Sequence, residues 1–200
     1  MTETQAPAIQ HHRPIPIISS DHSKLKLLKA CISRDETRRA INLLGVAGGF
    51  IMATNGNIAI RMPFSAFAGL GENDLEEGQS YTTYKTHDGQ RGFLKVDDAP
   101  AFPNMQAVID TIKPTWSFDS FTGDAGSTNR QELFYTLFKQ AGHMLNPAIL
   151  EDILPPRTSV KIQGSANPLN AVIFTMEWHV TCEIIAMPFK AAEKKATPLT

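Results

Sequence analysis

The stretch between residues 41 and 64, INLLGVAGGFIMATNGNIAIRMPF, constrains the fold of this chain most. Its three short apolar runs are separated by Gly48-Gly49 and by Asn55-Gly56. Both dipeptides tolerate the positive φ angles that tight hairpins need. The stretch therefore predicts a three-stranded antiparallel meander.

The residues that precede the meander predict an edge strand and a helix. RPIPII carries two prolines, which confine a strand to the edge of a sheet or to a strand start. Residues 21–33 follow, and Leu25, Leu28 and Ile32 fall on one face at helical spacing. Capping candidates for this helix are Ser19, Ser20 and Asp21. Residues 15–64 thus predict a β-α-β-β-β unit.

The second half of the chain repeats this order. TWSFDSFT predicts a strand, residues 129–145 a helix, and TSVKIQGS, NAVIFTMEW and HVTCEIIAMPF three further strands. Two more strands, SYTTYKT and RGFLKVDD, and the linker FPNMQAVIDTIKP lie between the halves. We expect an α+β fold with halves at about 13–100 and 115–190, and with its helices on one face of antiparallel sheets. Residues 1–12 and 191–200 are polar and are expected to be flexible tails.

Composition narrows the functional classes. The 200 residues suffice for one sizeable core or two small ones, and the formal net charge of −1 argues against a simple polyanion binder. The two cysteines, Cys31 and Cys182, form no CxxC pair and predict buried, reduced thiols. No apolar run is long enough to span a membrane and no signal layout begins the chain, so we expect a cytoplasmic protein.

No pattern typical of an enzyme is present. The histidines are scattered, and the HExxH, GxSxG, P-loop and GxGxxG motifs do not occur. The paired acids Asp97-Asp98 and Glu76-Glu77 fit solvated loops better than a metal site. We expect no catalytic activity, no cofactor and no metal.

The helix at residues 21–33 carries its charge on the side opposite its apolar face. Lys26 and Lys29 share that side, Lys24 lies off to one side, and Arg34 follows closely. Such a stripe is either an ordinary solvated face or a surface that faces phosphates. The outer stripe of the second helix contains Lys139 and is only weakly basic.

Three segments resemble bacterial DNA polymerase processivity clamps, the β-subunit sliding clamps. SRDETRRAINLLGV…FIMATNGNIAI is similar to the family pattern DxRxxLNGV…xVATDGHRLA. KVDDAPAFPNMQAVI resembles LVDGxFPDYxxVIP, and PLNAVIF…CEIIAMPFK resembles PVxI…YxxMPMRL. The matches occur in the family's order and extend from about residue 15 to residue 190. The resemblance implies a DNA-clamp-like fold.

The chain also departs from the family. It has the length of roughly one clamp domain, whereas the family has three per chain. It resembles the first half of a central clamp domain joined to the second half of the last domain. The family's turn histidine and arginine are replaced by Asn57 and Ile58, and Phe189 stands where the family has the last Met of MPM.

The resemblance implies two kinds of site. Helix cations would attract the phosphates of duplex DNA without reading sequence, which allows sliding. Matching residues would form an apolar pocket for Leu- or Phe-containing peptides of polymerases and repair proteins; the alternative is that they are ordinary core or turn residues. The expected DNA-binding residues are Lys24, Lys26, Lys29, Arg34 and Lys139. The expected peptide-binding residues are Thr54, Gly56, Pro103, Val108, Ile185, Met187 and Phe189.

Two functions remain open from the sequence. One is a sliding-clamp-like processivity factor of replication or repair, which would close a ring by self-association through edge strands. The other is a clamp-fold interaction module, of phage or mobile-element origin, that does not encircle DNA.

Overall fold

The structure is a computed structural model. It describes residues 13–71, 73–122, 153–178 and 180–188, together with Leu133, residues 135–137, Lys139, Gly142 and Leu145. The expected tails at 1–12 and 191–200 lie outside the described residues, as does Phe189. Most of the predicted second helix also lies outside them.

The described residues form ten strands and two α-helices. The helices are α1 (His22–Ala30) and α2 (Met105–Thr111). The strands are β1 (Ile15–Ile17), β2 (Leu44–Ala47), β3 (Phe50–Thr54), β4 (Ile58–Pro63), β5 (Ser80–Lys85), β6 (Arg91–Lys95), β7 (Trp116–Phe121), β8 (Ser159–Gly164), β9 (Val172–Trp178) and β10 (Val180–Ala186). Between β7 and β8, Leu133, residues 135–137 and Lys139 are helical, within the predicted second helix.

All ten strands belong to one antiparallel sheet in the order β1-β6-β5-β2-β3-β4-β10-β9-β8-β7. The predicted meander is its β2-β3-β4 segment, with positive φ at Gly48, Gly49 and Gly56. Strands β4 and β10 pair at the centre, so the two parts of the chain meet in a continuous ladder rather than across a loop. An antiparallel sheet with few helices fits the expected α+β class.

The two faces of the sheet bury different clusters. Alternate residues such as Ile60 and Ile184 pack with Leu28 of α1 and with Leu137 on the face we call the helix face. Neighbouring residues on the same strands point to the opposite face, the linker face, where they pack against Met105 of α2. The described part of the second helix thus lies on the same side of the sheet as α1, while α2 lies on the other.

The two parts of the sheet are not identical. Strand β7 pairs directly with β8, but the β5–β6 hairpin lies between β1 and β2. The β5–β6 hairpin turns at residues 87–89, with positive φ at Gly89. The insertion leaves β1 and β7 as the two edges of the sheet, and β1 is a three-residue edge strand that contains Pro16.

Some element boundaries differ from the sequence prediction. The first meander strand begins at Leu44 rather than at residue 41, because Arg39–Ile41 forms a 3-10 turn that buries Ile41. Helix α1 is preceded by a 3-10 turn at Ser19–Asp21, and Asp21 makes no side-chain cap. Instead, its carboxylate is fully buried and binds Lys24.

Both cysteines are free and buried, which confirms the expected buried thiols. Desolvation by burial raises the pKa of Cys182 to about 12, with a smaller contribution from the charge of Glu183. Burial also raises the pKa of Cys31, assisted by Cys182. The thiols therefore stay protonated at neutral pH and belong to the core.

Gly45 in β2 allows the linker to approach the sheet closely. A Cβ atom at this position would lie 2.2 Å from Cγ of Phe102, so the phenyl ring rests directly on the glycine backbone. A glycine inside a strand often marks such a close approach. This contact anchors the segment that leads into α2.

We expect Gly45→Ala to lower the free energy of unfolding by about 1–3 kcal/mol, because the added methyl forces Phe102 out of its place. Gly71→Ala is the matched control, since a Cβ there meets Asp74 at ordinary contact distances of 3.4 Å and more. Urea unfolding of both variants measures the difference. Equal stability of the two variants would contradict the close packing of Phe102 on β2.

Candidate peptide-binding pocket and cationic helix face

A pocket of about 300 Å³ opens on the linker face at the β3–β4 turn. We call it the turn pocket. Four segments form it: the turn at residues 38–41, the β3–β4 turn with its flanking residues, the linker with α2, and the end of β10. Its lining residues are Arg38, Ile41, Thr54, Gly56, Asn57, Ile58, Ala59, Pro103, Met105, Val108, Ile185 and Met187.

The turn pocket brings together the residues that the sequence resemblance selected for peptide binding. Six of the seven line it, and the seventh, Phe189, lies outside the described residues. Ile185 and Thr54 are buried, whereas Met187 is 42% exposed. The pocket thus has a buried floor and an adaptable thioether at its rim.

Hydrogen bonds hold the turn at the edge of the pocket. The Thr54 hydroxyl donates to the Ile58 carbonyl at 2.8 Å and accepts from the Gly56 N–H at 3.0 Å. The Asn55 side-chain oxygen accepts from the N–H groups of Asn57 and Ile58 at 2.9 and 3.0 Å. Gly56 has φ of +91°, a conformation that glycine adopts without strain. The edge is therefore preformed.

The other walls are fixed to this turn. The Met187 N–H donates to the Asn57 carbonyl at 2.8 Å, which ties the end of β10 to the turn. Asn104 caps α2 by accepting from the Ala107 N–H at 3.0 Å. These bonds keep Pro103, Met105 and Val108 in place on the opposite wall.

Sequence reasoning missed Arg38 as a residue of the pocket. Its guanidinium lies against Gly56, where a Cβ would approach it to 2.7 Å, and donates to the Asn55 carbonyl at 3.4 Å. Arg38 is the charged residue in the lining. The turn loses the family's arginine, but a cation from a different segment lies beside it. Arg38 lies in SRDETRRAINLLGV, a segment that resembles a clamp motif, but it is not among the expected peptide-binding residues.

A second, larger pocket lies further along the linker face. We call it the linker pocket; its volume is about 430 Å³. Its floor is made by the linker-face residues of β2 and β3, and its wall by Ala101 to Gln106. Pro103 and Met105 line both pockets, so they form the ridge between them. No sequence pattern indicated this second pocket.

The cations of α1 divide into two groups. Lys26 and Lys29 are exposed, as is Arg34, and they make no ion pair within the part of the chain that the structure describes. Lys24 is different: its side chain is 12% exposed, and its ammonium lies 2.7 Å from the buried carboxylate of Asp21. It also donates to the Ala66 carbonyl. The Lys24 ammonium is therefore bound within the fold and is not available to a phosphate.

The remaining predicted DNA-binding residue, Lys139, lies on the second helix. It is exposed, and its Nζ lies 4.7 Å from the centroid of the Tyr135 ring, which is itself 57% exposed. Because Leu137 packs on the helix face, this pair belongs to the same side of the molecule as Lys26 and Lys29.

Among the described residues, no group of three or more His, Cys, Asp or Glu side chains could hold a metal ion. None of the described helices is long and apolar enough to cross a membrane.

Known structures share this fold. The chain is similar to the DNA polymerase III β chain of Streptococcus pneumoniae, with 12% identity and a TM-score of 0.52 over 96% of this chain and 69% of that one. The Bartonella birtlesii DnaN sliding clamp, bound to griselimycin, gives 13% identity and a TM-score of 0.51 over 96% and 69% of the two chains. The C. crescentus β sliding clamp shares 14% identity with this chain, with a TM-score of 0.51 over 96% of this chain and 68% of that one.

These likenesses define the class of fold. No protein-family model and no curated protein sequence matches the chain. At identities of 14% and below, the structural similarity establishes the fold alone. The chain has a shortened clamp-like fold, which confirms at the level of structure the resemblance seen in the sequence.

Proposed function

We propose that this protein is a sliding-clamp-like factor that binds duplex DNA without sequence specificity and tethers replication or repair proteins through the turn pocket. The observation that carries the proposal is the convergence of six residues, chosen from three sequence segments, in one preformed pocket on a clamp-like fold. The two β-α-β-β-β halves, about 13–100 and 115–190, are part of this proposal.

The turn pocket suits an apolar peptide. Its floor is apolar at Ile185 and its rim carries Met187, while Arg38 offers a guanidinium to a carboxylate or carbonyl of the ligand. A Leu or Phe side chain would displace water from the floor, and the preformed turn limits the entropy lost on binding.

We expect Met187→Lys to weaken binding of a fluorescein-labelled Gly-Ser-Leu-Ser-Leu-Phe peptide at least tenfold, because a charge would replace an apolar rim. Leu169→Lys is the matched control, since Leu169 is 50% exposed and lies outside both pockets. Fluorescence polarisation measures both affinities. Equal loss in the two variants, or no binding by the unmodified protein, would remove the turn pocket from the proposal.

The helix face supplies the proposed DNA contact through Lys26, Lys29, Arg34 and Lys139. Flexible cations on one face attract phosphates and release counterions, without reading base edges. Lys24 is left out of this set because Asp21 already neutralises it.

Replacing both Lys26 and Lys29 with glutamate should lower the affinity for a 30-base-pair duplex at least tenfold at low salt. The slope of log affinity against log salt concentration should become shallower by about 1.8, because each lost phosphate contact contributes about 0.9. The control variant, Lys85→Glu with Lys113→Glu, makes the same change of net charge at exposed sites outside α1. If both double variants lose affinity equally, net charge explains the binding and α1 does not.

One observation favours the alternative, a clamp-fold interaction module that does not encircle DNA. The turn pocket is complete in its described walls, whereas Lys24, one of the predicted DNA cations, is occupied by an ion pair. A protein that binds the peptide but shows no salt-dependent DNA affinity would be such a module. Light scattering adds a second criterion, because a clamp of this size must self-associate, through edges such as β1 and β7, to close a ring.

A further inference from the structure

The linker pocket lies on the same strand surface as the turn pocket. Along β3, side chains alternate between the two faces, so Phe50, Met52 and Thr54 all point to the linker face. Phe50 and Met52 line the linker pocket, and Thr54 lines the turn pocket. At about 3.3 Å per residue, the four intervals from Phe50 to Thr54 span roughly 13 Å. A single extended peptide can reach from one pocket to the other.

The ridge between the two pockets is held in place by packing and by a helix cap. It consists of Pro103 and Met105, which line both pockets. Phe102 fixes it from beneath by resting on Gly45, and the Asn104 cap holds the start of α2. Pro103 is exposed. A peptide that crosses this ridge would pass from the turn pocket to the linker pocket.

The linker pocket has an apolar interior with one oriented cation. Arg61 lies above the Phe50 ring, with its Cζ 4.8 Å from the ring centroid. Its Nε donates to Glu183, and its Nη1 donates to the Gln106 side-chain oxygen at 2.7 Å. These contacts leave the guanidinium in a fixed orientation beside the apolar floor. Because Glu183 already binds it, Arg61 contributes a fixed planar surface to this pocket rather than a free charge.

Charge indicates which peptide fits. The charged residues that line the two pockets are Arg38 in one and Arg61 in the other, and neither lining contains an acid. Arg61 is already paired with Glu183, so the unpaired cation of the two linings is Arg38 among the described residues. A spacer with Asp or Glu next to the first anchor would meet the Arg38 guanidinium, whereas a basic spacer would be repelled by it. The surface therefore selects for acidic and against basic ligands.

We propose that the linker pocket is a second subsite for the same partner peptide, which takes an additional aromatic or large aliphatic anchor joined to the first by a short acidic spacer. This inference rests on the proposed function of the turn pocket and extends it. A two-anchor ligand gains affinity because its second anchor binds at a high effective concentration once the first has bound.

The test uses the labelled Gly-Ser-Leu-Ser-Leu-Phe peptide and longer forms of it. Ser-Glu-Ser-Glu-Phe extends it at the C-terminus in one form, and Phe-Glu-Ser-Glu-Ser at the N-terminus in another. We expect one of the two to bind at least tenfold more tightly than the short peptide. The corresponding extension with Lys in place of Glu should lose most of this gain.

A pocket-filling variant assigns the gain to the linker pocket. Ala47 is exposed, lines the linker pocket and does not line the turn pocket, so Ala47→Trp should abolish the gain and leave the short peptide within twofold. Gln79→Trp fills the same pocket from a different segment and should act alike. Ala166→Trp, at an exposed site outside both pockets, is the control for the added indole, and circular dichroism checks that each variant is folded.

The outcomes separate the inference from the proposed function. Binding of the short peptide with no gain from either extension, or a gain that survives both filling variants, overturns the second subsite and leaves the turn pocket intact. Binding of an extended peptide alone, abolished by Ala47→Trp, supports the linker pocket and removes the turn pocket as an independent site. If neither short nor extended peptides bind, both proposals fail.

Discussion

Replacing Ile184 with alanine should lower the free energy of unfolding by about 2–5 kcal/mol, the range for truncating a fully buried isoleucine. Ile184 in β10 lies directly opposite Ile60 in β4, and both side chains are completely buried on the helix face. Their ladder is where the two parts of the ten-stranded sheet join. The cavity would therefore open at the joint and not at an edge that can collapse.

The packing lost at this joint should lower the stability of the strands on both sides of it. We expect hydrogen exchange to accelerate together at the amides of β3 and of β9 in Ile184→Ala, with a single urea transition. Ile18→Ala provides the matched control, because Ile18 is 47% exposed and its truncation should cost within about 0.5 kcal/mol. If only one part of the sheet lost protection, the ladder between β4 and β10 would not couple the two.

Replacing Lys24 with methionine should be nearly as costly, about 3 kcal/mol, although lysine is usually a surface residue. The reason is Asp21, whose side chain is fully buried and bound at 2.7 Å to the Lys24 ammonium. Its other carboxylate oxygen accepts from the Gly69 N–H at 3.4 Å. Without Lys24, an ionised carboxylate would remain in the core with one weak hydrogen bond.

A double variant distinguishes this ion pair from simple packing. Lys24→Met combined with Asp21→Asn leaves no buried charge, so it should recover much of the stability that Lys24→Met alone loses. Lys26→Met, at an exposed position of the same helix, should change stability by less than about 0.5 kcal/mol. Urea unfolding compares the variants. A double variant as unstable as the sum of its parts would show that packing of the lysine stem, and not charge, is the cause.

This pair also explains why the charge pattern of α1 could not be interpreted from spacing alone. Helical periodicity groups Lys24 with the polar side of α1, near Lys26 and Lys29. Its actual partner, Asp21, is three residues earlier and is buried. The loop at Ala66 and Gly69 contacts both side chains, because the Ala66 carbonyl accepts from Lys24 and the Gly69 N–H donates to Asp21. That loop is far away in sequence, so only the packed structure shows that one of the cations is internal.

Local signals were sufficient for the meander. Gly-Gly and Asn-Gly permit only a few turn conformations, and the apolar run between them has the length of a strand, so β3 was predicted at its observed bounds. The edge position of β1 followed in the same way from its prolines. In contrast, the insertion of the β5–β6 hairpin between β1 and β2 depends on long-range pairing, which no local pattern encodes.

The turn pocket was predictable from the sequence only in part. Its residues could be selected from the sequence because each segment resembles a clamp motif, but the contribution of Arg38 could not, because its side chain reaches Gly56 only after the chain folds back. The linker pocket had no sequence signal, since it depends on Phe102 resting on Gly45.

The sequence by itself determined the strands, the first helix, the turns and the clamp resemblance, because these follow from backbone preferences and side-chain periodicity over a few residues. Only the tertiary structure decided which cations remain free, how the two parts of the sheet join, and where the pockets open. Those features depend on burial and on contacts between segments distant in the chain, such as Asp21 with Gly69 and Gly45 with Phe102.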